Sequence, residues 1–278
     1  MTVGENGTIL TSPDGITWTS KNYGENKYFS GVTYADSKFF AVGHSATVLK
    51  STDGIPWTSS NTEIYSDDNL DELAYGNNLF VVVGNVQQGI YSSSDGTSWT
   101  LRSTCASSCK ALTYGNGIFV VGSSQYLKTS SNGSTWNSYH FSSDLNAYLY
   151  GLTFGSNTFV GVGYSGFVLT SSDNGTSWDN RTSGTTKRFT GVTFGNDTFV
   201  AVGLDGTIFT SSNNGTSWND RTSISVTIND LQEVTFGNNT FVAVGSSGTI
   251  VTSSDNGTTW TSRTSGTTKY LGGVTYKE

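Results

Sequence analysis

Carboxyl groups are the first residues in this chain whose types and spacing could do chemistry. Glu63, Asp67, Asp68, Asp71 and Glu72 crowd one short stretch. Two convergent carboxyls can cleave a glycosidic bond, one as acid and one as base or nucleophile. Such a run can also hold a hard cation such as calcium, with Asp67, Asp68 and Asp71 as ligands. Nothing else in the sequence converges on it, so a solvated acidic loop is the simpler reading. His44 and His140 stand far apart, and there is no Gly-x-Ser-x-Gly elbow for a nucleophile. Cys105 and Cys109 lack the second pair that a zinc site needs. A local disulfide is expected there, with two buried thiols as the alternative. Four arginines, Arg102, Arg181, Arg221 and Arg263, each follow a tryptophan by three residues, and Arg188 stands alone. Repetition would spread the four around a rim rather than gather them at one point. No catalytic residue, no cofactor and no metal centre are therefore expected, and the chain reads as a non-enzyme.

Composition narrows the classes further. Of 278 residues only 13% are charged, about half the roughly 25% usual in soluble domains. The net charge of −7 disfavours nucleic acid and anionic membrane surfaces, which attract clustered Lys and Arg. No run approaches the ~20 apolar residues of a membrane span. The 7 Trp, 14 Tyr and 15 Phe are too many for a chain without a core. The opening Met1-Thr2-Val3-Gly4 has neither the basic nor the apolar region of a signal peptide. Low charge, many Ser, Thr and Asn, and one expected disulfide point to the extracellular space or the cell surface.

The elements that must position any site come from an internal repeat. The seven tryptophans are Trp18, Trp57, Trp99, Trp136, Trp178, Trp218 and Trp260. Each ends one motif. It reads Ser-x-Asp/Asn-Gly-x-x-Trp in the first four copies and carries one more residue, as in Ser171-Ser172-Asp173-Asn174-Gly175, in the last three. A period near 40 signals a propeller or solenoid. Around each motif, short β-rich runs such as Val192-Thr193-Phe194 and Thr198-Phe199-Val200-Ala201-Val202 are broken by Gly, Asn and Asp turns. Four antiparallel strands per repeat make one propeller blade. The chain stops in what matches a first strand (Val274-Thr275-Tyr276) and opens in what matches the end of a second (Met1-Thr2-Val3-Gly4). The expectation is one all-β domain over 1–278, a seven-bladed propeller whose terminal strands share a blade. Blade 1 is 270–278 with 1–27, and blades 2 to 7 are approximately 28–69, 70–109, 110–146, 147–187, 188–229 and 230–269. The same terminal strand could instead complete a neighbouring copy's blade and polymerise the chain.

The motif resembles the Asp-box, or bacterial neuraminidase repeat, over the whole chain. In that family the box is a folding device: its Asp caps backbone N–H groups, its Gly takes the strained turn and its Trp packs between blades. The resemblance thus implies structural roles for Asp14, Asp53, Asp95, Asn132, Asp173, Asn213 and Asp255. Sialidases of the family need three convergent arginines and a Phe-Arg-Ile-Pro start, and this chain has neither pattern. Its xyloglucan hydrolases use two propellers, and only one fits here.

A binding site is expected on the face bearing the second-to-third strand turns and the blade-to-blade loops, where the repeat breaks down in blades 2 to 4. The aromatic and polar residues there are Tyr65, Gln87, Tyr139, His140, Phe141 and Tyr148. Such a patch suits a glycan or a peptide. Eight Asn-x-Ser/Thr sequons occur at Asn6, Asn132, Asn174, Asn180, Asn196, Asn214, Asn238 and Asn256, a number that chance alone explains in so Ser/Thr-rich a chain. The reading is a non-catalytic extracellular recognition or structural module acting in adhesion or assembly. The alternatives are a carbohydrate-binding lectin and, behind it, a glycoside hydrolase.

Overall fold

The computed structural model describes residues 1–24, 26–60, 64, 69–85, 89–105, 107–141 and 147–277. Seven four-stranded antiparallel sheets are formed, six from consecutive strands and one from both chain ends. In that shared blade, Leu271–Val274 pairs with Thr2–Gly4, which continues into Ile9–Thr11 and Thr19–Ser20. Thr275 N–H donates to the Met1 carbonyl at 2.9 Å, and Thr2 Oγ1 donates to the Gly273 carbonyl at 2.7 Å. The terminal strand therefore completes its own ring and is not an edge to lend to a second copy.

The first strand of each blade packs on that of the next all the way round. These inner strands are Phe29–Ala35, Leu70–Gly76, Ala111–Gly115, Leu149–Gly155, Phe189–Gly195, Leu231–Gly237 and Leu271–Val274. Their second strands are apolar on both faces, as in the fully buried Thr198–Gly203, because each lies between two neighbouring blades. The core is a set of seven clusters, each filling the gap between adjacent blades.

The box hairpins lie at the end of the molecule away from the blade-to-blade loops. Asp14 Oδ1 accepts the N–H of Ile16 and of Thr17, each at 2.8 Å, while Gly15 N–H donates to Ser12 Oγ. The Thr17 bond is the main reason the Asp14 carboxyl is held at about 2. In the longer boxes the added residue, Asn174, Asn214 or Asn256, adopts a left-handed backbone, which asparagine tolerates. Five indoles (Trp18, Trp57, Trp178, Trp218 and Trp260) donate their N–H to the box glycine carbonyl. These five boxes thus pair their own indole, whereas the buried indole N–H groups of Trp99 and Trp136 have no partner among the described residues. The eight sequon asparagines are exposed, though Asn132 serves its box as acceptor and Asn196 donates to Asn256.

Cys105 and Cys109 are joined by a disulfide and are both buried, in the cluster between blades 3 and 4. Cys109 stands where other inner strands begin with Leu or Phe. Iodoacetamide should therefore add nothing to the unfolded, unreduced chain and two groups after reduction, read by intact mass.

Candidate functional site

A polar cavity of about 330 Å³ opens at one end of the ring axis, on the face of the second-to-third strand turns and the blade-to-blade loops. Its walls come from the starts of the inner strands. In six blades that strand carries one residue more than its partner, and the extra residues are Gly272, Ser30, Asp71, Tyr150, Thr190 and Gln232 in blades 1, 2, 3, 5, 6 and 7. Lys110 in blade 4 holds the matching place. A bulge re-aims a side chain that regular pleating would bury between sheets. All seven of these residues line the cavity.

One residue further along, the inner strand carries Gly31, Gly151, Gly191 or Gly273 in four blades. These glycines let the strands close tightly round the axis: a Cβ on Gly273 would lie 2.9 Å from the Gly31 Cα. Glu72 and Glu233 occupy the same position in blades 3 and 7, three blades apart and so across the channel. Both line the outer cavity and a second one of about 160 Å³ deeper along the axis. Glu72 Oε1 accepts the Leu73 N–H at 3.2 Å, and Glu233 Oε1 accepts the Val234 N–H at 2.8 Å.

The channel sets unusual charge states. Burial, more than the charge of Asp71, raises Glu72 to about 8, against the pull of the Leu73 N–H. Burial and then the facing Glu72 push Glu233 well up. Asp71 rises to about 6 through burial, partly offset by Lys110. At neutral pH the mouth therefore holds one carboxylate, Asp71, two neutral carboxyls, and the cations Lys110 and Arg188. Burial also lowers His44, whose ring stacks on Tyr28 at 4.2 Å, and Tyr28 stacks on Tyr270 at 5.7 Å. Opposite them, the Arg188 guanidinium lies 5.1 Å from the Tyr150 ring centre.

Of the residues expected from sequence, the described members of the aromatic patch fall elsewhere on the same face. Tyr65, Gln87, Asp67 and Asp68 lie outside the described residues. Tyr139 and His140 end the outer strand of blade 4, and Phe141 follows it. Tyr139 packs into the core, His140 sits against Tyr126 at 4.8 Å and Phe141 stacks on Phe167 at 5.6 Å. Tyr148 is separated from them by the turn at Gln125, which accepts the Phe141 N–H and donates to the Ala147 carbonyl. It neighbours Tyr150 at 6.3 Å instead. Asp71 belongs to the mouth, and among the described residues no three His, Cys, Asp or Glu side chains gather to hold a metal. The mouth as a unit was missed, although its signal is visible: blades 5 to 7 are near copies, yet the bulged position reads Tyr150, Thr190 and Gln232.

No family model and no curated protein matches the chain. Solved structures do. The structure of YCF48 bound to D1 peptide aligns with TM-score 0.65 and 18% identity, covering 94% of this chain and 86% of that one. The WD40 propeller domain of Doa1 aligns at 0.66 and 15% over 94% and 86%. Virginiamycin B lyase from Staphylococcus aureus aligns at 0.71 and 15% over 82% of each chain. At these identities the likeness is one of fold, a fold that serves both interaction modules and an enzyme.

Proposed function

We propose that this chain is a non-catalytic recognition module that receives a segment of a partner protein at its axial mouth. The observation that carries this is a pair of uncompensated atoms in one cavity. Asp71 Oδ2 and Arg188 Nε are both buried, and neither has a hydrogen-bond partner among the described residues. Buried polar groups are nearly always paired, so a site that leaves two open is built for a guest. A propeller of the same shape bound to a peptide supports the choice of guest.

Catalysis is the weaker reading. A glycosidase needs one ionised and one protonated carboxyl flanking the bond. The two that face each other, Glu72 and Glu233, are both held protonated, and the ionised Asp71 lies under the charge of Lys110. Repeated lectin sites between blades are also disfavoured, since most of the tryptophans already bond within their boxes. The disulfide fits an oxidising compartment, so the reading places the module outside the cell or on its surface, in adhesion or assembly.

A synthetic random nonapeptide mixture, free at both ends, tests this by capture on immobilised protein and mass spectrometry. Captured peptides should lose at least about tenfold in affinity on Arg188→Gln, the scale of a lost charge-assisted bond. Asn180→Ala, on an exposed outer strand, should leave them unchanged. An empty capture, or equal binding to Arg188→Gln, would end the proposal.

A further inference from the structure

We propose that the axial mouth is a carboxylate-binding site, in which Arg188 and Lys110 take an α-carboxylate and Asp71 accepts the neighbouring N–H. The inference rests on the recognition reading of the same cavity and names its guest: the C-terminal residue of a peptide or a free amino acid, which share this chemistry.

The arginines make the case. Arg102, Arg181, Arg221 and Arg263 each donate Nε–H to a hydroxyl of the adjacent strand, on Ser92, Thr170, Thr210 and Thr252. Arg188 does not. Its Nε is buried without an acceptor. Among the described residues the ion pairs are Lys38–Asp36, Arg181–Asp179 and Lys187–Asp205, so neither Arg188 nor Lys110 has a carboxylate within 4 Å. The Tyr150 ring stabilises the Arg188 charge but offers its N–H donors no acceptor. A half-buried guanidinium whose buried Nε–H is left unpaired is costly unless an anion arrives. Guanidinium matches carboxylate in a two-bond fork, and Lys110 adds a second charge beside it.

The remaining groups of the mouth agree. Glu72 and Glu233 are neutral at pH 7 and present O–H donors rather than repulsive charge. His44, Tyr28 and Tyr270 are uncharged there, so two cations face one carboxylate, and a metal cation would meet the wrong sign. Asp71 Oδ2 lacks a donor, which a simple anion would not provide and a backbone or amino N–H would. A cavity of about 330 Å³ admits a residue or two, not a folded surface.

The test compares tri-alanine with tri-alanine amide by isothermal titration on the wild-type protein at pH 7. The free acid should bind at least about tenfold more tightly. The preference should vanish in Arg188→Gln and shrink in Lys110→Gln, with Lys187→Gln as the exposed control. It should also weaken from pH 7 to pH 9 as Glu72 ionises. Free alanine binding as tightly as the tripeptide identifies an amino acid as the guest, and weaker binding identifies a peptide end. Equal affinity for acid and amide overturns the carboxylate site. If random peptides are still captured in an Arg188-dependent way, the recognition reading survives that result. If nothing is captured either, both fall.

Discussion

Glu72→Gln should make this protein more stable at pH 8, a gain that grows by at most about 1.4 kcal/mol for each pH unit above the carboxyl's unfolded value. Glutamine has the same shape and carries no proton to lose. Its Oε1 can still accept the Leu73 N–H at the position where Glu72 does so at 3.2 Å. The wild-type carboxyl titrates near 8 in the folded ring against 4.5 as an unperturbed group. Between those values the folded state holds a proton that the unfolded chain has released. Stability therefore falls as pH rises from about 4.5 to 8 and flattens above that, because only then do both states carry the same charge. Glu233, pushed up by burial and by Glu72, adds a slope of the same sign. Asp71 adds a shorter one that ends near 6. The box carboxylates act in the opposite direction. Asp14 and Asp173 are held at about 2 by hydrogen bonds, so what they contribute is complete above their ordinary value and lost as pH drops towards 2. Wild type should thus be most stable near pH 4–5, below the usual optimum. Urea unfolding at pH 5, 6.5 and 8 reads the difference. The variant should match wild type at pH 5 and exceed it at pH 8. Parallel slopes for the two proteins would mean that Glu72 is ionised in the channel. The Glu72→Gln/Glu233→Gln pair should gain less than the sum of its parts, because removing one charge relieves the other.

The architecture was legible because it is written locally and seven times. Each box contains its own caps, its own turn glycine and its own indole, so seven tryptophans announce seven blades without any long-range inference. The terminal strands could be matched to halves of one repeat for the same reason. The mouth is different. Asp71 comes from blade 3, Lys110 from blade 4, Arg188 from blade 6 and Glu233 from blade 7, and only the closed ring turns them towards one axis. Sequence reasoning looked instead at the longest departures from the repeat, in the loops around Tyr65, Gln87 and Tyr139. Of the patch inferred there, Tyr139, His140 and Phe141 lie against rings or core of their own and neighbouring strands. The informative departures were single residues inside otherwise identical strands. Arg188 already stood apart as the arginine outside the repeated position, and Glu72 and Glu233 stand where four other blades have glycine. What no sequence pattern conveys is the burial that raises those carboxyls, since their side chains read as ordinary surface charge.

Gly203→Ala should be among the most damaging single-atom-scale changes in the ring, costing about 3 kcal/mol or more and emptying the mouth of its arginine. The glycine ends the second strand of blade 6 with an extended backbone, φ −170, so left-handed geometry is not what requires it. Space is. A Cβ there would lie 2.1 Å from the Arg188 carbonyl oxygen, a backbone atom that cannot rotate away. The next residue, Leu204, donates its N–H to that same carbonyl at 3.1 Å. The strand end thereby grips the residue that enters the inner strand and fixes where its side chain starts. The device recurs: Gly43 with His44 holds the Tyr28 carbonyl, and Gly4 with Glu5 holds that of Tyr270. Three walls of the mouth are thus set by glycines on a neighbouring strand. Gly184→Ala is the control. That residue has φ +86 with nothing within 4 Å of an added Cβ, so only the backbone preference of about 1–2 kcal/mol is at stake. Thermal unfolding separates the two variants. Peptide capture then asks the functional question of whatever Gly203→Ala protein remains folded. Capture undiminished in that fraction would mean that Arg188 is positioned by its own loop and not by the grip of Gly203.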